Sequence, residues 1–234
     1  MRRPCAAGGR ERRHLSRDAV GTRPAVPRPV AYVSSVIVPS KRIVITGGPG
    51  AGKTAVLELA RRDLCKHVEI LPEAARIVFG GGFPRRVDDA GRRGAQRAIF
   101  HVQDELERMG APSSIAATLL CDRGTLDGLA YWPGSWDEYF RELATTMQAE
   151  LARYAVVIHL RVPDEGGGYT NDAVRRESPL EASEIDRRLV EVWAAHPHRV
   201  FVDSNADFVR KAQRAIALIR TALTCCASKD PRRS

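Results

Sequence analysis

The chain has 234 residues, 44% of them hydrophobic and 28% charged. This is the balance of a globular protein with room for one good core, and no apolar run approaches the ~18 residues needed to span a bilayer. The net charge of +9 belongs to the ends: residues 1–40 hold eight arginines against Glu11 and Asp18, residues 229–234 hold Lys229, Arg232 and Arg233 against Asp230, and residues 41–228 net only +1. A basic nucleic-acid groove in the folded part is therefore not indicated, and nucleic acid or anionic lipid would be met only through the tails. The five cysteines (Cys5, Cys65, Cys121, Cys225 and Cys226) show no C-x-x-C spacing. This argues against zinc and redox motifs; Cys65 and Cys121 read as core residues, and the pattern fits a reducing, cytoplasmic setting.

Residues 1–40 are rich in Arg, Pro, Gly and Ala and read as a disordered basic extension. Acid-poor, Arg-rich N-termini also serve as transit peptides, and Arg2-Arg3 resembles a twin-arginine signal, but no apolar stretch follows soon after. An extension without function is the favoured reading. From Lys41 the pattern alternates strand and helix. Strand one is expected over about 42–46, followed by a glycine-rich loop and a helix to about 64. Strand two takes 67–71, a short helix 73–79, a loop 80–90, and a long helix 91–109 with Ala95, Ile99, Val102 and Leu106 at helical spacing. Strand three is expected over 116–121, a helix over 136–152 and strand four over 154–161. A Gly-rich charged segment, 162–180, reads as a mobile lid. A helix over 181–195, strand five over 199–203 and a final helix over 206–222 complete the pattern. The expected fold is α/β, with a five-stranded parallel sheet and helices on both faces in three layers. The domain is expected over 41–224, with a disordered tail at 225–234.

Gly47-Gly48-Pro49-Gly50-Ala51-Gly52-Lys53-Thr54 is a complete G-x-x-x-x-G-K-[ST] phosphate-binding loop between a strand and a helix. Glycines let backbone N–H groups approach phosphates, and the helix turns its positive end toward them. Lys53 reaches the β- and γ-phosphates, and the Thr54 hydroxyl ligates Mg²⁺. The absence of an N-K-x-D guanine signature favours ATP, with GTP possible.

Residues just past each strand converge on one site in such a fold. Glu73 follows strand two and can orient an acceptor hydroxyl, although helix N-termini also prefer Glu. Arg76, one turn on, can bind a substrate anion or pair with Glu73. Asp122 can complete the Mg²⁺ shell, or cap a helix starting at Thr125. Arg123 can clamp a phosphoryl oxygen, or form a surface ion pair. Arg175 and Arg176 lie in the glycine-rich lid, and one of them can stabilise the transferred phosphoryl group. Gln96, Gln103 and Glu107 share overlapping faces of the long helix; a structural polar face is the favoured reading, but one of them can touch the acceptor, and Gln103 is the substrate-binding candidate.

In order along the chain stand the phosphate loop 47–54, Pro72-Glu73-Ala74-Ala75-Arg76, Gln103 with Glu105 and Glu107, Asp122-Arg123-Gly124 with Asp127-Gly128-Leu129-Ala130-Tyr131, Arg176-Glu177-Ser178, and Trp193 with His196-Pro197. Together they resemble the AAA-type P-loop ATPase domains related to the nicotinamide-riboside kinase domain of the bacterial NAD regulator and to the animal TRPL-translocation-defect protein, over about 42–222. The resemblance implies a nucleoside-kinase-like core, ATP or GTP with Mg²⁺, and a lid carrying Arg176; it implies no single substrate. The expected function is transfer of the γ-phosphate of ATP to a small nucleoside-like or other hydroxyl acceptor. The alternative is a nucleotide-dependent binding module for an anionic protein, phosphoinositide or nucleic acid, for which the basic tails are suited.

Overall fold

Lys41–Thr46 (β1) carries Ile43, Val44 and Ile45, all wholly buried, as the middle strand of a sheet covered on both faces must be. The structure is a computed structural model that describes residues 41–65, 67–110, 118–162, 178–204 and 207–223. Four further strands are Val68–Leu71 (β2), Thr118–Asp122 (β3), Val156–Leu160 (β4) and Arg199–Val202 (β5). All pairings are parallel, in the order β2-β3-β1-β4-β5. The chain lays β2 and β3 on one side of β1 and β4 and β5 on the other. Its winding therefore reverses beside β1, and a crevice opens beyond the carboxyl ends of the strands.

Alternate strand residues go to opposite layers. Ile43, Ile45, Leu120 and Ile158 face Lys53–Asp63 (α1) and Phe208–Ala222 (α7), where they meet Val56, Leu57, Ala215 and Ile219. Val44, Leu119, Cys121 and Val157 face the other way. They pack with Phe100 of the long helix Asp89–Gly110 (α3), with Leu126 and Leu129 of a 3-10 helix at Thr125–Tyr131, and with Val192 and Trp193 at the end of Pro179–Val192 (α6). A short helix, Ala74–Gly80 (α2), links β2 to α3. The expected three-layer parallel fold is thus present. The expectations for 1–40, for residues 163–177 of the expected lid over 162–180, Arg175 and Arg176 among them, and for the tail lie outside the described residues.

The expected helix over 136–152 is two helices, Trp136–Glu142 (α4) and Met147–Leu151 (α5). Ala144 takes the left-handed conformation (φ 51°) between them. Thr146 then starts a new helix by accepting from the Ala149 N–H, while the Thr145 hydroxyl donates to Glu150 at 2.6 Å. Two adjacent threonines offer the backbone caps that compete with a continuous helix, and apolar spacing alone does not reveal this.

Glu107, on the long helix, is wholly buried. It accepts from Arg153 Nη2 and the Tyr154 hydroxyl, each at 2.7 Å, and from Gln103 Nε2 at 3.0 Å. Glu107 is thus an internal tie between α3 and the start of β4. Glu107→Ala strands buried donors and is expected to lower stability by about 3 kcal/mol, measured by chemical denaturation.

Candidate phosphate-binding and acceptor site

The phosphate loop sits at the switch point between β1 and α1. Gly47 takes φ 135°, and a Cβ there would overlap the Leu160 carbonyl oxygen. Gly52 takes φ 88° at the N-cap of α1, with the Phe208 ring 2.8 Å from where a Cβ would lie. These two positions accept only glycine. The Gly48 N–H donates to Asp186 Oδ1 at 3.0 Å, and the same carboxylate meets His159 Nε2 at 2.9 Å and Arg161 Nε at 3.0 Å. Asp186 anchors the loop from α6, and no local motif in the sequence announces it.

Lys53 is 7% exposed, and its ammonium donates to the carbonyls of Gly47 (2.7 Å) and Gly48 (2.9 Å). Burial, reinforced by the charge of Arg123, lowers its pKa to about 7. Thr54 is half-buried in the first turn of α1, on the wall of the main cavity.

Asp122 ends β3, close enough to Lys53 for the two charges to interact. Burial raises its pKa to about 6, against the opposing pull of Lys53. Its Oδ1 is buried without a hydrogen-bond partner among the described residues. A carboxylate oxygen in that condition wants a cation or a donor. The capping alternative fails: Gly124 holds the N-cap position of the 3-10 helix.

Arg123 adopts φ 74°, rare for a side chain of its size. Its backbone N–H donates to the Ile45 carbonyl at 3.1 Å. Its guanidinium is held from two sides, by Glu73 Oε1 at 2.8 Å and Asp127 Oδ2 at 3.1 Å, and it also reaches the Gly47 carbonyl at 3.4 Å. It is no surface ion pair: its side chain is 14% exposed. Glu73 occupies the N-cap position of α2 without capping it. Burial alone would raise the Glu73 carboxyl, but Arg123, with Lys53 and Arg76 behind it, holds it below the usual range. Glu73 is thus a fixed carboxylate.

Asp127 stands in the sequence as part of the Asp122-Arg123-Gly124 motif region, but no site role is read for it there. It is 3% exposed and accepts from the Thr46 hydroxyl (2.8 Å), Trp193 Nε1 (2.8 Å) and Arg123. It joins β1, the 3-10 helix and α6 behind the phosphate loop. The signal was its position four residues after Arg123, one helical turn away.

One cavity of about 320 Å³ connects these parts. Lys53, Thr54, Glu73, Arg76, Gln103, Arg123 and Asp127 all border it, as do Phe79, Gln96 and Tyr131. Gln103 lines it and donates Nε2 to Glu107, a structural bond that ties the wall to the core. Gln96 is the better placed amide, 9% exposed and with no hydrogen bond among the described residues.

Sheet order, phosphate loop and adjoining cavity define a P-loop protein of the nucleotide-binding, kinase-like class. The chain belongs to a family described as AAA domain, whose model matches residues 42–211. Among solved structures it is similar to NadR protein in complex with NR (TM-score 0.60, 16% identity, covering 78% of this chain and 51% of that one). NadR protein in complex with NAD and AMP-PNP matches at TM-score 0.54 and 17% identity, covering 78% and 49%. Thymidylate kinase from Candida albicans matches at TM-score 0.55 and 12% identity, covering 79% and 92%. The chain therefore spans about half the length of the NadR chains it resembles. No curated protein matches its sequence. No helix among the described residues is long and apolar enough to cross a membrane.

Proposed function

We propose that the chain is an ATP- and Mg²⁺-dependent phosphotransferase acting on a hydroxyl of a small molecule. One observation carries this: the cavity of about 320 Å³ that the phosphate loop borders runs on past the loop to walls formed by Glu73, Arg76, Phe79, Gln96 and Tyr131, where a second small ligand can sit beside the phosphates. The kinase-like neighbours support the reading, one of them a NadR protein in complex with NAD and AMP-PNP.

In this reading the triphosphate lies on residues 47–54, with Lys53 leaving the loop carbonyls for the γ-phosphate. Thr54 and Asp122 would hold Mg²⁺. The fit is good: both offer hard oxygens, Asp122 Oδ1 lacks a partner, and Mg²⁺ is ordinarily held by one or two carboxylates plus phosphates rather than by a protein cage. When bound, the ion screens charge on the phosphates. Glu73 has one oxygen tied to Arg123 and the other without a hydrogen bond among the described residues; that oxygen accepts from the acceptor hydroxyl and aims it. The hydroxyl oxygen bonds to the γ-phosphorus, the bond to the β–γ bridging oxygen breaks, ADP leaves with the electron pair, and the hydroxyl proton passes to water. A carboxylate held below its usual pKa is suited to orienting that hydroxyl rather than keeping its proton. Arg123, braced by Glu73 and Asp127, faces the transferred group. The arginines at 175 and 176 are assigned the closing role on the sequence argument alone.

The test is a phosphorylation screen of a metabolite library with the full chain, ATP and Mg²⁺. A phosphorylated product seen by mass spectrometry, with ADP formed in step, supports the reading. ATP hydrolysis that no acceptor stimulates would count against it.

The two shifted groups set the pH dependence. Mg²⁺ needs Asp122 ionised, so affinity for Mg²⁺-ATP falls as pH drops below about 6. The phosphates need Lys53 charged, so affinity also falls as pH rises above about 7, where binding must take up a proton. The expected profile is a bell with its maximum between these values, falling roughly ten-fold per pH unit well outside it. Calorimetry in buffers of different ionisation enthalpy reads both the affinity and the proton count.

A further inference from the structure

The walls of the acceptor cavity are far more basic than the rest of the fold. Six basic side chains border it, against two carboxylates, Glu73 and Asp127, and both of those already face Arg123; of the remaining five, Lys53 belongs to the phosphate loop and Arg86 pairs with Asp88. Residues 41–228 as a whole net only +1, so this is a local concentration of charge. Three of the arginines, Arg76, Arg85 and Arg92, are exposed and form no ion pair with a carboxylate among the described residues. They come from three separate segments: α2, the loop after it, and the first turns of α3. Holding like charges around one cavity costs energy unless an anion enters it.

The same walls present flat and polar recognition surfaces. The Arg85 guanidinium lies 4.0 Å from the centroid of the Phe79 ring, and Arg92 Nη2 donates to the Tyr131 carbonyl at 3.2 Å. Both contacts fix the guanidinium without neutralising it. Deeper in, Gln96 brings a buried amide, with donor and acceptor both available, to the cavity wall.

We propose that the acceptor is a nucleoside monophosphate, its phosphate held by Arg76, Arg85 and Arg92 and its base seated by Phe79, Tyr131 and Gln96. This rests on the phosphotransfer reading above and adds to it that the acceptor already carries a phosphate. A neutral nucleoside would leave the arginine cluster unanswered. A guanidinium fork matches phosphate oxygens, and each charge-assisted bond is about twice as strong as a neutral one.

The test is calorimetry at low salt on the full chain. AMP-PNP is titrated first, and then the common ribonucleosides, their 5′-monophosphates, ribose 5-phosphate and inositol 1-phosphate. At least one monophosphate is expected to bind about ten-fold or more tighter than its own nucleoside and than either sugar phosphate. Arg85→Gln and Arg92→Gln are each expected to cut that advantage about three-fold, and the double variant to abolish it. Both positions are exposed, so the substitutions leave the core untouched. If AMP-PNP binds normally but nucleoside and monophosphate bind alike, or if the double variant keeps the preference, this inference falls alone. Inositol 1-phosphate binding as tightly as the best nucleotide would overturn the base assignment in favour of a lipid headgroup. Failure of AMP-PNP to bind would overturn the phosphotransfer reading, and this inference with it.

Discussion

Lys53→Ala is expected to weaken ATP binding by roughly two to three orders of magnitude, the largest loss of any single substitution outside the core. The ammonium is buried beside the phosphate loop and in the free protein bonds only to the carbonyls of Gly47 and Gly48 among the described residues. Alanine removes the charge that the γ-phosphate requires, and no other side chain in the loop supplies one. Arg123 does not substitute, because Glu73 and Asp127 hold its guanidinium in place and it cannot move into the position of the lysine. The fold is expected to persist: Lys53 itself lines the cavity, so water can enter the space that its side chain leaves. Burial already depresses the charged form of Lys53, so its loss costs the free protein little. Calorimetric titration with ATP, paired with thermal unfolding of the free protein, separates the two effects. An unchanged ATP affinity would remove residues 47–54 as the phosphate site.

Asp122→Asn is the second large effect, expected to reduce Mg²⁺-dependent turnover roughly 10²–10³-fold. Asparagine keeps the shape and loses the charge. Because burial disfavours the ionised form of Asp122, the variant is expected to be at least as stable as the parent. ATP binding without Mg²⁺ is expected to be unchanged or tighter, since a buried negative charge near the phosphates has gone. The diagnostic result is therefore a loss confined to the Mg²⁺-dependent step, read by comparing titrations with and without the metal. A variant that turns over at full rate would show that Asp122 serves only the end of β3.

The site was unevenly legible in the sequence. The phosphate loop could be read whole because it is local: it is built from eight consecutive residues, with Gly47, Gly52, Lys53 and Thr54 at the motif's fixed positions. Glu73, Asp122 and Arg123 were found by the rule that strand ends converge, without knowledge of which strands adjoin. Their relations were not legible. That Arg123 sits clamped between Glu73 and Asp127 depends on β2 and β1 flanking β3, which spacing along the chain does not state. Gln103 and Gln96 look equivalent on a helical wheel. Only the approach of Glu107 and Tyr154 decides that Gln103 is tied to the core by one bond while Gln96, on the same cavity wall, makes none among the described residues.

By itself, then, the sequence determined the nucleotide-binding side of the site: a strand, a phosphate loop and a helix, with alternating elements behind them that call for a parallel sheet. Such features come from short-range geometry and hydrophobic periodicity, which are written along the chain. The tertiary structure alone decided how the cavity beyond the loop is walled, although the sequence singles out Arg76 on its own. Arg76, Arg85 and Arg92 are scattered over three segments of a nearly neutral region and become a basic pocket only when α2 and α3 fold over the end of the sheet. Charge acts through space, so a cluster of this kind has no signature in the order of residues.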